Sequence, residues 1–191
     1  MRSLLLEARA RQFAAARSIK VHIDKPLGDG TDGNVWPTNR NSAVKVLRDQ
    51  KNYLPELLCY QRLAELGVEK IDGLAVPRLV GSDDKLLVVE MEIVEPPYLL
   101  DFGKAYIDQP SPFTQEELAA YNASLAQYFR KEDIPRVRKI CRILAGYGIE
   151  YLDARPDNIR LRSDKEEKAM PPDDGWDKEP LIDDLLDESG L

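Results

Sequence analysis

The 191-residue chain predicts an α+β fold: a five-stranded antiparallel sheet carrying one helix, followed by a reduced, mainly helical half. Three observations lead there. Short alternating apolar runs separated by turn residues fill the stretch from Ile19 to Val94, the pattern of half-buried strands. A single helical run, opened by Pro55, interrupts them after the third strand. Beyond Pro96-Pro97 the apolar period lengthens to that of helices, with recognisable caps.

Taken in order, residues 1–18 read as an N-terminal helix. Ser3 can cap it, Ala, Leu, Glu and Arg dominate it, and Leu5, Leu6, Ala10, Phe13 and Ala14 can share one face. Residues 19–95 form the sheet-bearing part. Val21 and Ile23 alternate, Gly28 to Gly33 make a turn, and Asn34 to Trp36 form the next strand. Thr38 to Asn41 turn again into Ala43 to Leu47. A helix runs from Pro55 to Leu66, and Val76 to Val80 and Leu86 to Val94 complete the sheet. In residues 96–191, Thr114 and Glu117 make a capping box for a helix over Gln115 to Phe129. A second helix covers Ile134 to Tyr147, with Val137, Ile140, Cys141 and Leu144 on one side and Gly146 and Gly148 closing it. Ile159 to Leu161 is a short strand, and Ser163 to Glu179 reads as a loop leading into an acidic tail.

Composition excludes several functions. The net charge is -7, without a basic cluster, so nothing points to nucleic acid. Two distant cysteines and a single histidine cannot assemble a zinc centre. Leu4 to Leu6 are followed at once by Glu7 and Arg9, too short an apolar run for a leader or a membrane span. A cytoplasmic protein is the expectation.

Three segments carry chemistry. Gly28, Gly30 and Gly33 allow a hairpin whose amides approach phosphate oxygens unobstructed. Val35, Trp36 and Pro37 follow as a strand, whereas a dinucleotide-binding turn needs a helix there. Lys45 sits on the next strand, facing away from Val44 and Val46, and can bind phosphates as a point charge. Glu56 on the following helix is the carboxylate best placed to hold it, with Glu65 in reserve. Asp153 and Asn158 share a loop. The aspartate can accept the proton of an attacking hydroxyl, the amide oxygen can bind Mg²⁺, and Arg155 between them can balance charge.

This ordered set resembles the eukaryotic-like protein kinase superfamily. Gly28 to Val35 is similar to the glycine loop, Ala43-Val44-Lys45 to the lysine strand, and Tyr151 to Asn158 to the catalytic loop at its Asp and Asn. Met91-Glu92-Ile93-Val94 resembles the adenine-binding hinge, with Met91 as gatekeeper. The resemblance implies a kinase-like N-lobe over 19–95, then a hinge and a reduced C-lobe over 96–191, with ATP and Mg²⁺ as cofactors. It implies transfer of the γ-phosphoryl group to a hydroxyl, by default Ser or Thr of a protein. A small-molecule hydroxyl is the other acceptor, because aminoglycoside-type phosphotransferases share the fold. Gly28, Gly30, Gly33, Val35, Ala43, Lys45, Met91, Glu92 and Ile93 would line the nucleotide. Lys45, Glu56, Asp153 and Arg155 would act in catalysis, and Asn158 and Asp183 would bind metal. A protein partner could complete substrate recognition.

The departures are Tyr151-Leu152 in place of His-Arg, and the metal-binding triplet. Asp101-Phe102-Gly103 has the right letters but precedes Asp153, so it reads as a coincidence. Asp173-Asp174-Gly175 follows two prolines, and Leu181-Ile182-Asp183 has the better strand chemistry, which makes Asp183 the expected ligand. These departures keep open a catalytically inactive pseudokinase that acts as a nucleotide- or partner-binding scaffold.

Overall fold

The computed structural model describes residues 2–109 and 113–170. Helix α1 (Arg2–Ala16) precedes strands β1 (Gly28–Asp29), β2 (Gly33–Pro37) and β3 (Ser42–Leu47). Helix α2 (Gln50–Glu65), a small hairpin of β4 (Lys70–Ile71) and β5 (Leu74–Ala75), and strands β6 (Leu79–Asp83) and β7 (Val88–Glu92) follow. The five-stranded sheet is antiparallel throughout, in the order β1-β2-β3-β7-β6. Its first strand is shorter than Val21 and Ile23 led one to expect, since Val21 makes only an isolated bridge to Thr38.

Side-chain alternation gives this sheet two different faces. Val35, Lys45 and Val89 lie in one row across β2, β3 and β7, with Ala43 opposite Met91 in a neighbouring row. The other face carries Trp36, Val44, Val46 and Val88, packed against Leu6, Ala10, Phe13 and Ala14 of α1. Leu5, expected on that helix face, is instead 63% exposed, because it lies one residue out of phase with the 6, 10, 13 stripe. Arg9 fixes the helix by donating to the carbonyls of Leu47 and Leu86.

Helix α2 covers the Lys45 face. It starts five residues earlier than Pro55 implied, because Asp49 accepts from Asn52 N at 3.0 Å and caps it. Its buried side, from Tyr53 through Glu56, Tyr60 and Leu63, meets the second half of the chain. There β8 (Tyr98–Leu99) and β9 (Ala105–Ile107) precede helices α3 (Gln115–Tyr128) and α4 (Ile134–Gly146). Strands β10 (Ile149–Tyr151) and β11 (Ile159–Arg160) and helix α5 (Asp164–Ala169) follow. The Thr114–Glu117 capping box forms as its spacing predicts. Val137, Ile140 and Leu144 of α4 are buried. Gly148, just past that helix, has φ +77, and a Cβ there would stand 2.4 Å from Asp108 Oδ1. The stretch expected as a loop from Ser163 contains α5, started by a Ser163–Glu166 capping box.

The pairing of the later strands crosses chain order. β9 pairs with β10, and β8 pairs with β11, both antiparallel. The segment between β8 and β9 is therefore held beside the segment between β10 and β11, although some fifty residues of chain separate them. Phe102, fully buried within the first segment, locks this junction. Its ring meets Tyr60 of α2 edge-on at 5.1 Å and Tyr151 of β10 at 5.6 Å. One core cluster runs through α2, β3, β7, α4 and these strands. No helix among the described residues is long and apolar enough to cross a membrane.

Phe102→Ala should cost about 3–5 kcal/mol, since it removes a ring packed against both halves. Denaturant unfolding checks this, and a loss under about 1 kcal/mol would show that the junction does not hold the two halves together.

Candidate functional site

The site is built around Lys45. Its ammonium lies 2.6 Å from Glu56 Oε2 and 3.0 Å from Asp101 Oδ1. The lysine side chain is 7% exposed and Glu56 fully buried, while Asp101 is 34% exposed at the rim. Strand alternation turns Lys45 to this face, and α2 brings Glu56 down on it from its second turn. The expected Lys45–Glu56 pair is therefore present. The triplet read as coincidental is also present, with Asp101 against the same lysine.

Burial opposes charge on Lys45, but the nearby Glu56 and Asp101 carboxylates outweigh it and raise its pKa. Burial pushes Glu56 up to about 7, against the opposing pull of Lys45. For Asp101 burial acts upward too, yet the Lys45 charge prevails and holds it below the usual carboxylate range. The cluster thus places one ammonium between two carboxylates. Glu56 Oε1 is buried there without a hydrogen-bond partner among the described residues.

Asp101 is positioned by backbone. It occupies the left-handed region at φ +58, and its Oδ1 accepts from Gly103 N at 3.2 Å. Leu100 before it donates to Asn158 O at 2.8 Å, and its own carbonyl accepts from the Tyr151 hydroxyl at 3.0 Å. The Asp101 segment is hence bonded directly to the loop that carries Asp153 and Asn158. Burial, then the nearby Asp101 and Asp153 carboxylates, hold the Tyr151 phenol well above its ordinary range. Tyr151, a departure from the family motif in sequence, is here the post between the two acidic segments.

Within the loop, Asn158 Nδ2 donates to the Asp153 carbonyl at 3.0 Å and to its Oδ2 at 3.1 Å. Arg155 Nε stands 3.2 Å from Asp153 Oδ1, and its guanidinium lies over the Tyr128 ring. The Tyr121 hydroxyl accepts from Ala154 N at 3.0 Å.

The glycine segment is a hairpin between β1 and β2, closed by Gly30 N to Gly33 O at 3.0 Å. Its three glycines have different reasons. A Cβ on Gly33 would lie 2.4 Å from the Val46 carbonyl, so the sheet itself requires that glycine. Gly28 and Gly30 have ordinary space around them and no demand from the fold. Arg48, not foreseen, clamps the hairpin by donating to Thr31 O at 2.7 Å and Gly30 O at 3.0 Å. Val35, Ala43 and Met91 line the same sheet face as Lys45. In the segment that resembles a hinge, Glu92 N donates to Arg78 O and Ile93 N to Asn41 O. Those two amides serve the fold, so a base there would be read through other backbone groups.

Asp183, Asp173-Asp174-Gly175 and the rest of the acidic tail lie outside the described residues. Among the described residues no three His, Cys, Asp or Glu side chains gather to hold a metal. Hard oxygen donors in this region are the Asp101 carboxylate, whose Oδ1 is already against Lys45 and Gly103 N, and the Asn158 amide oxygen. A cavity of about 460 Å³ opens elsewhere, on the α1 face, lined by Arg17, Ser42, Glu90 and Glu92 among others. It lies across the sheet from Lys45.

No protein-family model and no curated protein matches the chain. Among solved structures, it is similar to the streptomycin–ATP–APH(2″)-IIa ternary complex at 16% sequence identity, with a TM-score of 0.38. The match covers 62% of this chain and 36% of that one, so the chain spans about a third of that protein's length.

Because burial raises Glu56 from the ordinary 4.5 to about 7, folding takes up a proton between those values, and stability should fall as pH rises through that window. Glu56→Gln should flatten this slope, as read from melting temperature against pH. An unchanged slope would mean that Glu56 does not titrate there.

Proposed function

We propose that the chain is an ATP- and Mg²⁺-dependent phosphotransferase with a protein-kinase-like site, passing the γ-phosphoryl group to a hydroxyl acceptor. Ser or Thr of a protein is the acceptor class the motif resemblance favours, with a small-molecule hydroxyl as the other class. The observation that carries the reading is Lys45 held at 2.6 Å by Glu56 and at 3.0 Å by Asp101. A lysine oriented by a helix carboxylate, beside an aspartate at the cleft rim, is the arrangement that phosphoryl transfer needs.

In this reading Gly28 and Gly30 keep the hairpin amides bare for phosphate, and Arg48 holds the hairpin's carbonyls turned away. Val35, Ala43 and Met91 supply an apolar wall for the base, and the carbonyls of Glu92 and Ile93 supply its polar edge. Lys45 binds non-transferred phosphate oxygens. Asp153 orients the acceptor hydroxyl and takes its proton, with Arg155 neutralising charge beside it. Asn158 and Asp101 would hold the metal. We assign this role to Asp101 in preference to Asp183 because Asp101 is bonded through Leu100 to Asn158. Mg²⁺ at these oxygens supplies neutralisation of the phosphate charge.

One observation favours a second reading, a nucleotide-binding scaffold without turnover. Both Asp153 carboxylate oxygens are engaged, one by Arg155 and one by Asn158.

Thermal melting with ATP, with and without Mg²⁺, tests binding. At a hundredfold excess over Kd the folded state gains about 2.7 kcal/mol, and Lys45→Ala should abolish that gain. Asp153→Asn should keep the stabilisation and lose turnover by at least about 100-fold. Wild-type binding without turnover would establish the scaffold, and no stabilisation at all would end both readings.

A further inference from the structure

The cations around this cleft differ in how firmly they are held. Lys45 is shared by two carboxylates, and Arg155 is committed to Asp153 and to the Tyr128 ring. Lys104, which sequence reasoning passed over, has a 46% exposed side chain and, among the described residues, a distant ion pair 4.0 Å from Asp32 Oδ2. Its backbone is nevertheless fixed. It sits between buried Phe102 and the first residue of β9, where Ala105 N donates to Phe102 O at 3.0 Å. The result is a half-exposed ammonium on a hydrogen-bonded stretch of backbone.

Its surroundings define where that ammonium points. Asp32 belongs to the tip of the glycine hairpin, and its Oδ1 accepts from Asn52 Nδ2 at 2.7 Å, tying the tip to the first turn of α2. Lys104 is also close enough to Asp101 to help hold that carboxylate ionised. The lysine therefore bridges the hairpin tip and the Asp101 rim, the two borders between which a polyphosphate would run. Asp32 is a poor companion for phosphate: it places an anion on the very hairpin whose amides would bind one.

We infer that Lys104 is a second phosphate-binding residue, and that Asp32 competes with the polyphosphate for it. The inference rests on the nucleotide reading above and extends it. When a triphosphate enters, Lys104 exchanges the long Asp32 contact for a charge-assisted bond to an outer phosphate oxygen. The hairpin tip then remains tied to α2 through Asn52 alone. Because a monophosphate does not reach this border, the contact discriminates nucleotides by phosphate number.

The test is equilibrium binding of ATP and AMP, in Mg²⁺, to the full chain and to Lys104→Met, Lys104→Arg and Asp32→Asn. Lys104→Met should weaken ATP about tenfold while leaving AMP unchanged. Lys104→Arg should restore the preference, and Asp32→Asn should tighten ATP several-fold without affecting AMP. If wild type binds ATP and Lys104→Met keeps the same ATP-to-AMP ratio, or loses both nucleotides equally, the inference is overturned. If wild type binds neither, the nucleotide reading itself fails and the role of Lys104 goes with it.

Discussion

The arrangement depends on one buried lysine ammonium held by a buried carboxylate, Glu56, and a partly exposed one, Asp101. Lys45 could not remain charged at 7% exposure without partners, and Glu56 could not be fully buried without a cation beside it. Each makes the other tolerable, and Asp101 brings a second carboxylate to the same ammonium. Such a cluster is weak as a source of stability, because desolvation cancels much of the attraction. What it does is fix positions. Strand β3, helix α2 and the Asp101 turn must all arrive within hydrogen-bond reach of one atom.

That requirement explains the strand pairing. The Asp101 turn lies between β8 and β9, and the Asp153–Asn158 loop lies between β10 and β11. Antiparallel pairing of β9 with β10 and β8 with β11 lays the two turns side by side. Helices α3 and α4 lie between the two strand pairs in sequence. Phe102 packs into the seam, against Tyr60 from α2 and Tyr151 from β10. The aromatic contacts thus tie α2 and the Asp101 turn, two of the elements that the charges join, to β10 as well.

The order of elements in the first half was legible because each strand is bounded by turn chemistry and α2 is separated by its own period. Lys45 and Glu56 could be paired from sequence since alternation and one helical turn fix their directions. The start of α2 was missed because Pro55 was read as a first-turn residue, while Asp49 is the group that satisfies the open amides. The 163–169 helix was missed although Ser163 and Glu166 stand at capping-box spacing, because the polarity of the stretch was given more weight. Asp101 was set aside for a different reason. Its place beside Lys45 was not legible, because short strands such as Tyr98–Leu99 pair by contacts that no local pattern announces. Arg48 and Lys104 were invisible because a surface cation acquires meaning only from what it faces.

Asp101 stands beside Lys45 and is bonded through Leu100 to the Asn158 loop, and the proposal is that it would be the acidic group facing the metal. The most direct measurement is the Mg²⁺ dependence of ATP affinity in full-length Asp101→Asn and Asp183→Asn, compared with wild type. The account predicts that Asp101→Asn abolishes the dependence and Asp183→Asn preserves it. Loss of the dependence in Asp183→Asn, with Asp101→Asn unaffected, would contradict it.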